Sequence, residues 1–127
     1  MNPITIEWVS KAEGDFATSQ RELKVQADPN YDAGCFHAQQ CAEKYLKARL
    51  QESGIAFGKT HDLSMLLDMT LTIEPTWDIL LRTDLQTLSA FAVAYRYPGD
   101  SADETEAREA VQRCQSIRQI IRQSLAL

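Results

Sequence analysis

The sequence has little of several features that would identify a function at once. Lysine and arginine total 13 against 18 acidic residues, so the formal net charge is −5. Proteins that coat nucleic acid by bulk electrostatics need clustered excess cations, and this balance argues against that class. Only five glycines and four prolines occur among 127 residues, which is unlike a low-complexity or disordered chain. We therefore expect the chain to fold as one domain over residues 1–127.

Long apolar runs are also missing. No stretch approaches the roughly eighteen apolar residues that a membrane span needs. The N-terminal stretch "MNPITIEWVSKAEGD" has acids where a signal peptide would have a basic and then an apolar segment. We therefore expect a soluble, cytoplasmic protein without a membrane partner.

Motifs for metals, phosphate loops and nucleophiles are absent as well. The three cysteines are an odd number, and Cys35 and Cys41 lie on one predicted helix, so reduced core thiols are expected rather than disulfides. His37 and Cys41 are four apart and could form half a metal site, but no clear further ligands follow, and a buried pair is favoured. With no Gly-rich phosphate loop, no Ser-His-Asp context and no paired-Cys zinc motif, the sequence predicts no cofactor, no metal and no catalytic residue of these kinds.

What the sequence does contain is helical periodicity. No segment alternates with period two, so the prediction is an all-α, antiparallel up-and-down helical bundle of four main helices plus one short helix. We expect these helices over about 3–26, from Tyr31 to Ser53-Gly54, over about ten residues after a Thr60 cap, from a Thr76 cap to Tyr97, and from a capping box in "SADE" at 101–104 onward.

Apolar residues at spacings of three and four predict which faces are buried. The stripe of the second helix is wide, which is typical of a central helix or of one that also serves a subunit contact. The stripes are Trp8, Ala12, Phe16, Ser19 and Leu23; Gly34, Ala38, Cys41, Tyr45 and Ala48, widened by Cys35, Ala42, Leu46 and Leu50; Leu63, Leu66 and Leu67; Leu81, Leu85, Leu88, Ala92 and Tyr95; and Ala107, Val111, Cys114, Ile117, Ile121 and Leu125.

Four segments in a fixed order carry a resemblance to a known family. They are "WVSKAEGDF" in the first helix, "CFHAQQCAEKYLKARL" in the second, "KTHDLSMLL" at the third and "AYRYPGD" at the end of the fourth. Together they resemble the HEPN domain, a helical-bundle module of prokaryotes and some eukaryotes, over nearly the whole chain. The resemblance implies a bundle that commonly dimerises and is often encoded beside a minimal nucleotidyltransferase, the two acting in several systems as a toxin-antitoxin pair.

The resemblance also implies one of two activities. Some members are metal-independent ribonucleases that carry Arg, four to six residues and then His, whereas others bind nucleotides or partners. If Arg96 were that arginine, the histidine would fall at 101–103, which hold Ser101, Ala102 and Asp103. Neither His37 nor His61 has an arginine at the required distance before it. Arginine stays protonated and is a poor general base, so we expect no nuclease activity of the usual kind.

The candidate binding residues lie in three of the four segments. Arg96 lies between Tyr95 and Tyr97, and the three could combine a phosphate-binding fork with stacking surfaces for a base. A simpler interpretation is a helix stop, since Pro98 and Gly99 end helices and arginine suits the negative end of the helix dipole.

Polar residues elsewhere could complete this pocket. The second helix has a polar flank of Gln40, Glu43, Lys44 and Lys47, which is commonly a solvated face. If that helix packs beside the fourth, Glu43 or Lys44 could meet Arg96. His61 and Asp62 open the third helix and could lie at the edge of the same pocket.

The fifth helix offers another basic surface. Its arginines Arg113, Arg118 and Arg122 are the best candidates for a basic patch, although stabilisation of the helix dipole also explains their position.

Three hypotheses for the function follow. The leading one is a nucleotide-, RNA- or partner-binding HEPN-like protein that forms a homodimer and acts with a minimal nucleotidyltransferase. The second is an atypical ribonuclease in which Arg96 acts with Tyr97 or Asp100. The third is a purely structural dimer in which Arg96 braces the bundle.

Overall fold

The computed structural model describes residues 1–95 and 97–127, and within these ranges the chain forms five helices and no strand. The helices are α1 (Pro3–Lys24), α2 (Tyr31–Glu52), α3 (Leu63–Thr70), α4 (Trp77–Ala94) and α5 (Glu104–Ser124). Their short connections suit antiparallel neighbours. The all-α prediction is confirmed.

The core lies around α2, which packs against α1, α3, α4 and α5. All nine residues predicted for its wide stripe are buried. The other helices of the same chain therefore bury this stripe. This burial confirms the central-helix interpretation and leaves little of the stripe for a subunit contact. The predicted inner face of α5 is likewise buried, together with Leu125 just after the helix.

Several helix ends differ from the predictions because a neighbouring side chain makes the cap. Thr60 is not the cap of α3: the Asp62 carboxylate accepts from Met65 N, and Thr60 Oγ1 accepts from Asp62 N instead. The predicted capping box at 101–104 is formed two residues later, by Asp103 and Glu106. In each case an aspartate nearer the first turn reaches the free backbone N–H groups.

The other differences in helix ends are smaller. Thr76 precedes α4 but makes no side-chain cap, and α4 ends at Ala94, three residues before the predicted end at Tyr97. Pro98 disfavours helical geometry just before it, and Gly99 has φ of +98°, a conformation that glycine tolerates. α1 ends at Lys24, two residues short of the expected 26.

None of the helices in the described part of the chain combines the length and the apolar character needed to cross a membrane.

Candidate functional site

A pocket of about 500 Å³ opens between α2, the start of α3 and the second half of α4. The residues from α2 and from α4 are spaced by three or four and therefore share one face of each helix. The lining residues are Phe36, Gln39 and Gln40 from α2, His61, Asp62 and Leu63 at the start of α3, and Ser89, Ala92 and Val93 from α4.

His61 is fixed by a carboxylate that lies behind the pocket. Its Nδ1 is 3.1 Å from Glu43 Oε2 and 3.2 Å from Oε1, while its side chain is 77% exposed. A carboxylate without its proton can only accept hydrogen bonds, so Nδ1 carries the hydrogen and donates. The ring is therefore oriented by its buried end and presents Nε2 outward.

Glu43 and Lys47 form an ion pair that the helical bundle encloses. The Lys47 Nζ to Glu43 Oε2 distance is 3.2 Å, and the residues are only 4% and 2% exposed. The ammonium also lies 5.4 Å from the ring centre of Trp8 and 5.8 Å from that of Phe57, which is within the range of cation–π attraction. The solvated-face interpretation is therefore wrong for these two residues, because Trp8 and Phe57 lie against the Lys47 ammonium and His61 lies against Glu43.

Lys44 points away from α4 and towards α1. Its Nζ is paired with Asp15 Oδ2, and the other oxygen of Asp15 accepts from His37 Nδ1 at 2.7 Å. The hypothesis that Lys44 joins a pocket with the end of α4 is therefore wrong, because a buried aspartate on α1 already holds its charge.

The aromatic pair at the end of α4 is divided between two environments. Tyr95 is half-buried and stacks on Phe91, with ring centres 6.1 Å apart, whereas Tyr97 is 66% exposed. Tyr95 borders a second cavity of about 400 Å³ that shares Phe36 and Ala92 with the first pocket. Arg96, the central residue of the sequence hypothesis, lies outside the described residues.

Four lining residues were not selected from the sequence: Phe36, Gln39, Ser89 and Val93. Phe36 lies off the buried stripe of α2 and is 49% exposed. Gln39 is 7% exposed, and its Oε1 accepts from Gln40 Nε2 at 2.8 Å. Ser89 comes from α4. Phe36 could have been found from the sequence, because it is an apolar residue outside the core stripe of its helix. Nothing in the spacing of Gln39 or Ser89 marked them as pocket residues.

Charged groups on the opposite side of α2 satisfy one another. Glu13 accepts bidentately from Arg118 at 2.6 Å from both Nε and Nη2, and it accepts from the Tyr45 hydroxyl at 2.6 Å. Arg118 holds the pKa of Glu13 below its usual value, and the opposing effect of burial is smaller. Desolvation, followed by the bond to Glu13, raises the pKa of the Tyr45 phenol.

The basic patch predicted on α5 is therefore not available. Arg113 pairs with Asp84 and Glu109, and Arg118 and Arg122 both face Glu13. The dipole account is incomplete too, since these arginines join α5 to α4 and α1.

The cysteines are buried free thiols, as predicted. Burial raises the pKa of Cys35 to about 12, and a hydrogen bond with Cys114 raises that of Cys41. The predicted His37–Cys41 pair does not form, because His37 faces Asp15 and Cys41 faces Cys114. In the described part of the chain, no three His, Cys, Asp or Glu side chains form a potential metal site.

These observations define a helical-bundle protein with a pocket beside its central helix that is lined by apolar and polar side chains. A crystal structure of an archaeal HEPN homologue has the same fold, with a TM-score of 0.69 and 24% identity over 94% of this chain and 96% of that chain. The HEPN domain family matches residues 5–124, so the chain belongs to that family. A comparison with curated proteins found no match. Family membership supports a role related to nucleotides or RNA, or in partner binding, and family members often dimerise.

Proposed function

We propose that this HEPN protein binds a nucleotide or single-stranded RNA without cleaving it, in the pocket between α2, α3 and α4. The observation that carries the proposal is the combination, in one opening of about 500 Å³, of an exposed aromatic ring with amide, hydroxyl, carboxylate and imidazole groups. An aromatic face provides stacking for any base, and a few convergent polar groups are typical of small-molecule sites.

The described part of the pocket suits a base better than a phosphate. Two of the three cations first considered for it, Lys44 and Lys47, are held by Asp15 and Glu43. The phosphate-binding role proposed for this site therefore falls to Arg96, with Tyr95 and Tyr97 on either side of it. Tyr95 supports this arrangement, since it borders a cavity that adjoins the pocket.

We further propose that the protein is a single-domain, cytoplasmic homodimer that acts with a minimal nucleotidyltransferase in a toxin-antitoxin-type pair. Exposed apolar residues on α4 support self-association. Ile79, Leu80 and Val93 are 88%, 51% and 61% exposed, and no charged residue occurs from Leu85 to Tyr95. Apolar faces of this kind commonly mark protein contacts.

Calorimetry with a panel of nucleotides and short RNAs tests the binding proposal. The native chain should bind at least one ligand, and Phe36→Ala and Arg96→Ala should each weaken it about tenfold or more. Glu7→Ala, an exposed change on α1, is the matched control and should bind normally. Circular dichroism checks that every variant is folded, and the RNA should be recovered intact.

Two outcomes would contradict the binding proposal. The native chain would bind no member of the panel, or both pocket variants would bind as tightly as the native chain. If the native chain cleaves the RNA and Arg96→Ala leaves it intact, the result would instead favour the atypical ribonuclease.

Light scattering tests the dimer. The native chain should have twice the mass of one chain, and Ile79→Arg should be monomeric with unchanged helicity. A tagged chain co-expressed with a minimal nucleotidyltransferase should retain it through purification. A monomeric native chain would refute the homodimer. Failure to retain the nucleotidyltransferase would refute the proposed pairing with it.

A further inference from the structure

We infer that the pocket selects a nucleobase that carries an exocyclic amino group, and that His61 Nε2 and the Asp62 carboxylate accept hydrogen bonds from it. This inference rests on the proposed nucleotide-binding function and names its ligand more closely. Adenine, cytosine and guanine carry such an amino group, whereas uracil and thymine do not.

The hydrogen bonds of His61 determine which ring nitrogen faces a ligand. Glu43 already has a cationic partner in Lys47, whose Nζ lies 3.2 Å from Oε2, and the inference concerns His61 in its neutral form. A neutral imidazole has one donor and one acceptor nitrogen. Nδ1 donates to Glu43, and the exposed Nε2 is therefore an acceptor.

Asp62 adds a second acceptor beside the first. Its Oδ1 accepts from Met65 N at 3.1 Å and so caps α3. Its Oδ2 has no hydrogen bond with the described residues, and Asp62 lines the pocket. The carboxylate can therefore cap the helix and accept from a ligand at the same time, since its two oxygens together have about four acceptor positions.

The two amides of α2 contribute further acceptor character. Gln40 Nε2 donates to Gln39 Oε1 at 2.8 Å, which leaves the Gln40 carbonyl and the Gln39 amino group for a ligand. Together with His61 and Asp62, the pocket then offers three acceptors. The two hydrogens of an exocyclic amino group can donate to two of them, while the adjacent ring nitrogen of adenine or cytosine can accept from Gln39.

Phe36 supplies the remaining requirement, a flat apolar surface. Its ring is on the same α2 face as Gln39 and Gln40, and the residue is 49% exposed. A base that stacks there can present its edge to the acceptors. Stacking tolerates every base, so the acceptors must provide the selectivity.

Matched ligand pairs that differ at the amino group test the inference by calorimetry. The pairs are adenosine with purine riboside, guanosine with inosine, and cytidine with uridine. At least one amino-bearing member should bind the native chain about tenfold more tightly than its counterpart, because a hydrogen bond to a charged acceptor is lost. Oligo(A) and oligo(U) form a separate arm, in which preference for oligo(A) identifies RNA as the source of the base.

Two variants remove the acceptors separately. His61→Ala removes Nε2, and Asp62→Asn keeps a capping side chain but replaces the carboxylate with an amide. In each variant, the ratio of the affinities for the amino-bearing ligand and its counterpart should fall towards one. Lys59→Ala, an exposed change in the same loop, should leave that ratio unchanged.

The outcomes separate this inference from the function on which it rests. Equal affinity within all three pairs and for both oligonucleotides, or full preference retained in both variants, would overturn the inference while nucleotide binding stands. No binding of any nucleoside, nucleotide or RNA would overturn both.

Discussion

The two sides of α2 differ in how far their polar groups satisfy one another. Towards α1 and α5, Glu13 is bonded to Tyr45 and Arg118 and lies near Arg122, and Asp15 holds His37 and Lys44. Towards α3 and α4, His61, Asp62 and two glutamine amides each make a hydrogen bond with one part of the side chain and line an open pocket beside an aromatic ring.

This difference separates groups that hold the bundle together from groups that remain available to a ligand. Buried polar groups that are fully paired stabilise and specify one packing arrangement, whereas partly unpaired groups that line an opening are candidates for binding. The charged residues of α2 show both cases on one helix, since Lys44 serves the α1 side and Glu43 orients a pocket residue.

Replacing Glu13 should have the largest effect. Glu13→Ala leaves the Tyr45 hydroxyl and two arginines without their shared acceptor, and we expect a loss of about 2–3 kcal/mol in the free energy of unfolding. Urea denaturation measures it. Glu7→Ala, on the same helix and exposed, should cost less than about 0.5 kcal/mol. Similar losses for the two variants would remove the distinction between the sides of α2.

Replacing Phe36 should weaken ligand binding more than it lowers stability. Phe36→Ala removes a half-exposed ring from the pocket, so we expect ligand affinity to fall about tenfold and the free energy of unfolding to fall by less than about 1 kcal/mol. Calorimetry and urea denaturation of the same preparation compare the two. A large loss of stability with unchanged affinity would place Phe36 with the structural residues.

Acid should lower the free energy of unfolding because Glu13, which joins α1 to α5, becomes protonated. Its pKa in the folded chain lies below the unfolded value of about 4.3. Its stabilising contribution is therefore complete above the unfolded pKa and is lost as the pH falls through the folded pKa. Urea denaturation between pH 7 and pH 3 should show a smaller acid-induced loss in Glu13→Gln than in the native chain. Parallel curves would show that other carboxylates cause the loss.

The smallest effect is expected for an ion pair that belongs to neither side. Arg108 and Glu104 lie one turn apart on α5, and both side chains are 54% exposed. Solvent screens such pairs, so Arg108→Ala should change the free energy of unfolding by no more than about 0.5 kcal/mol. A loss comparable to that of Glu13→Ala would mean that burial does not govern these energies.

The sequence predicted the buried faces better than the partners of the charged residues. The stripes of α2 and α5 follow from helical period alone, and every predicted member is buried. Caps were displaced by two residues, as at Asp62 and Asp103, because two good capping residues lie close together in each loop.

The candidate site required information that local spacing does not contain. His61 and Asp62 line the pocket, and their role in binding remains a prediction. The pairing of Lys44 with Asp15, and the position of Lys47 against Trp8 and Phe57, depend on how distant segments pack. The contributions proposed for Arg96 and Tyr97 remain predictions.

The central position of α2 also affects how the molecule opens. Because four helices cover it, most of its amide hydrogens should exchange with solvent only in the globally unfolded state, whereas α3 and the end of α4 can open locally. The pocket is lined by α2, whose amides exchange only on global unfolding, and by α3 and α4, whose amides can exchange through local opening. A bound ligand should therefore slow hydrogen exchange at the start of α3 and the last turns of α4, and it should add no local protection to the middle of α2.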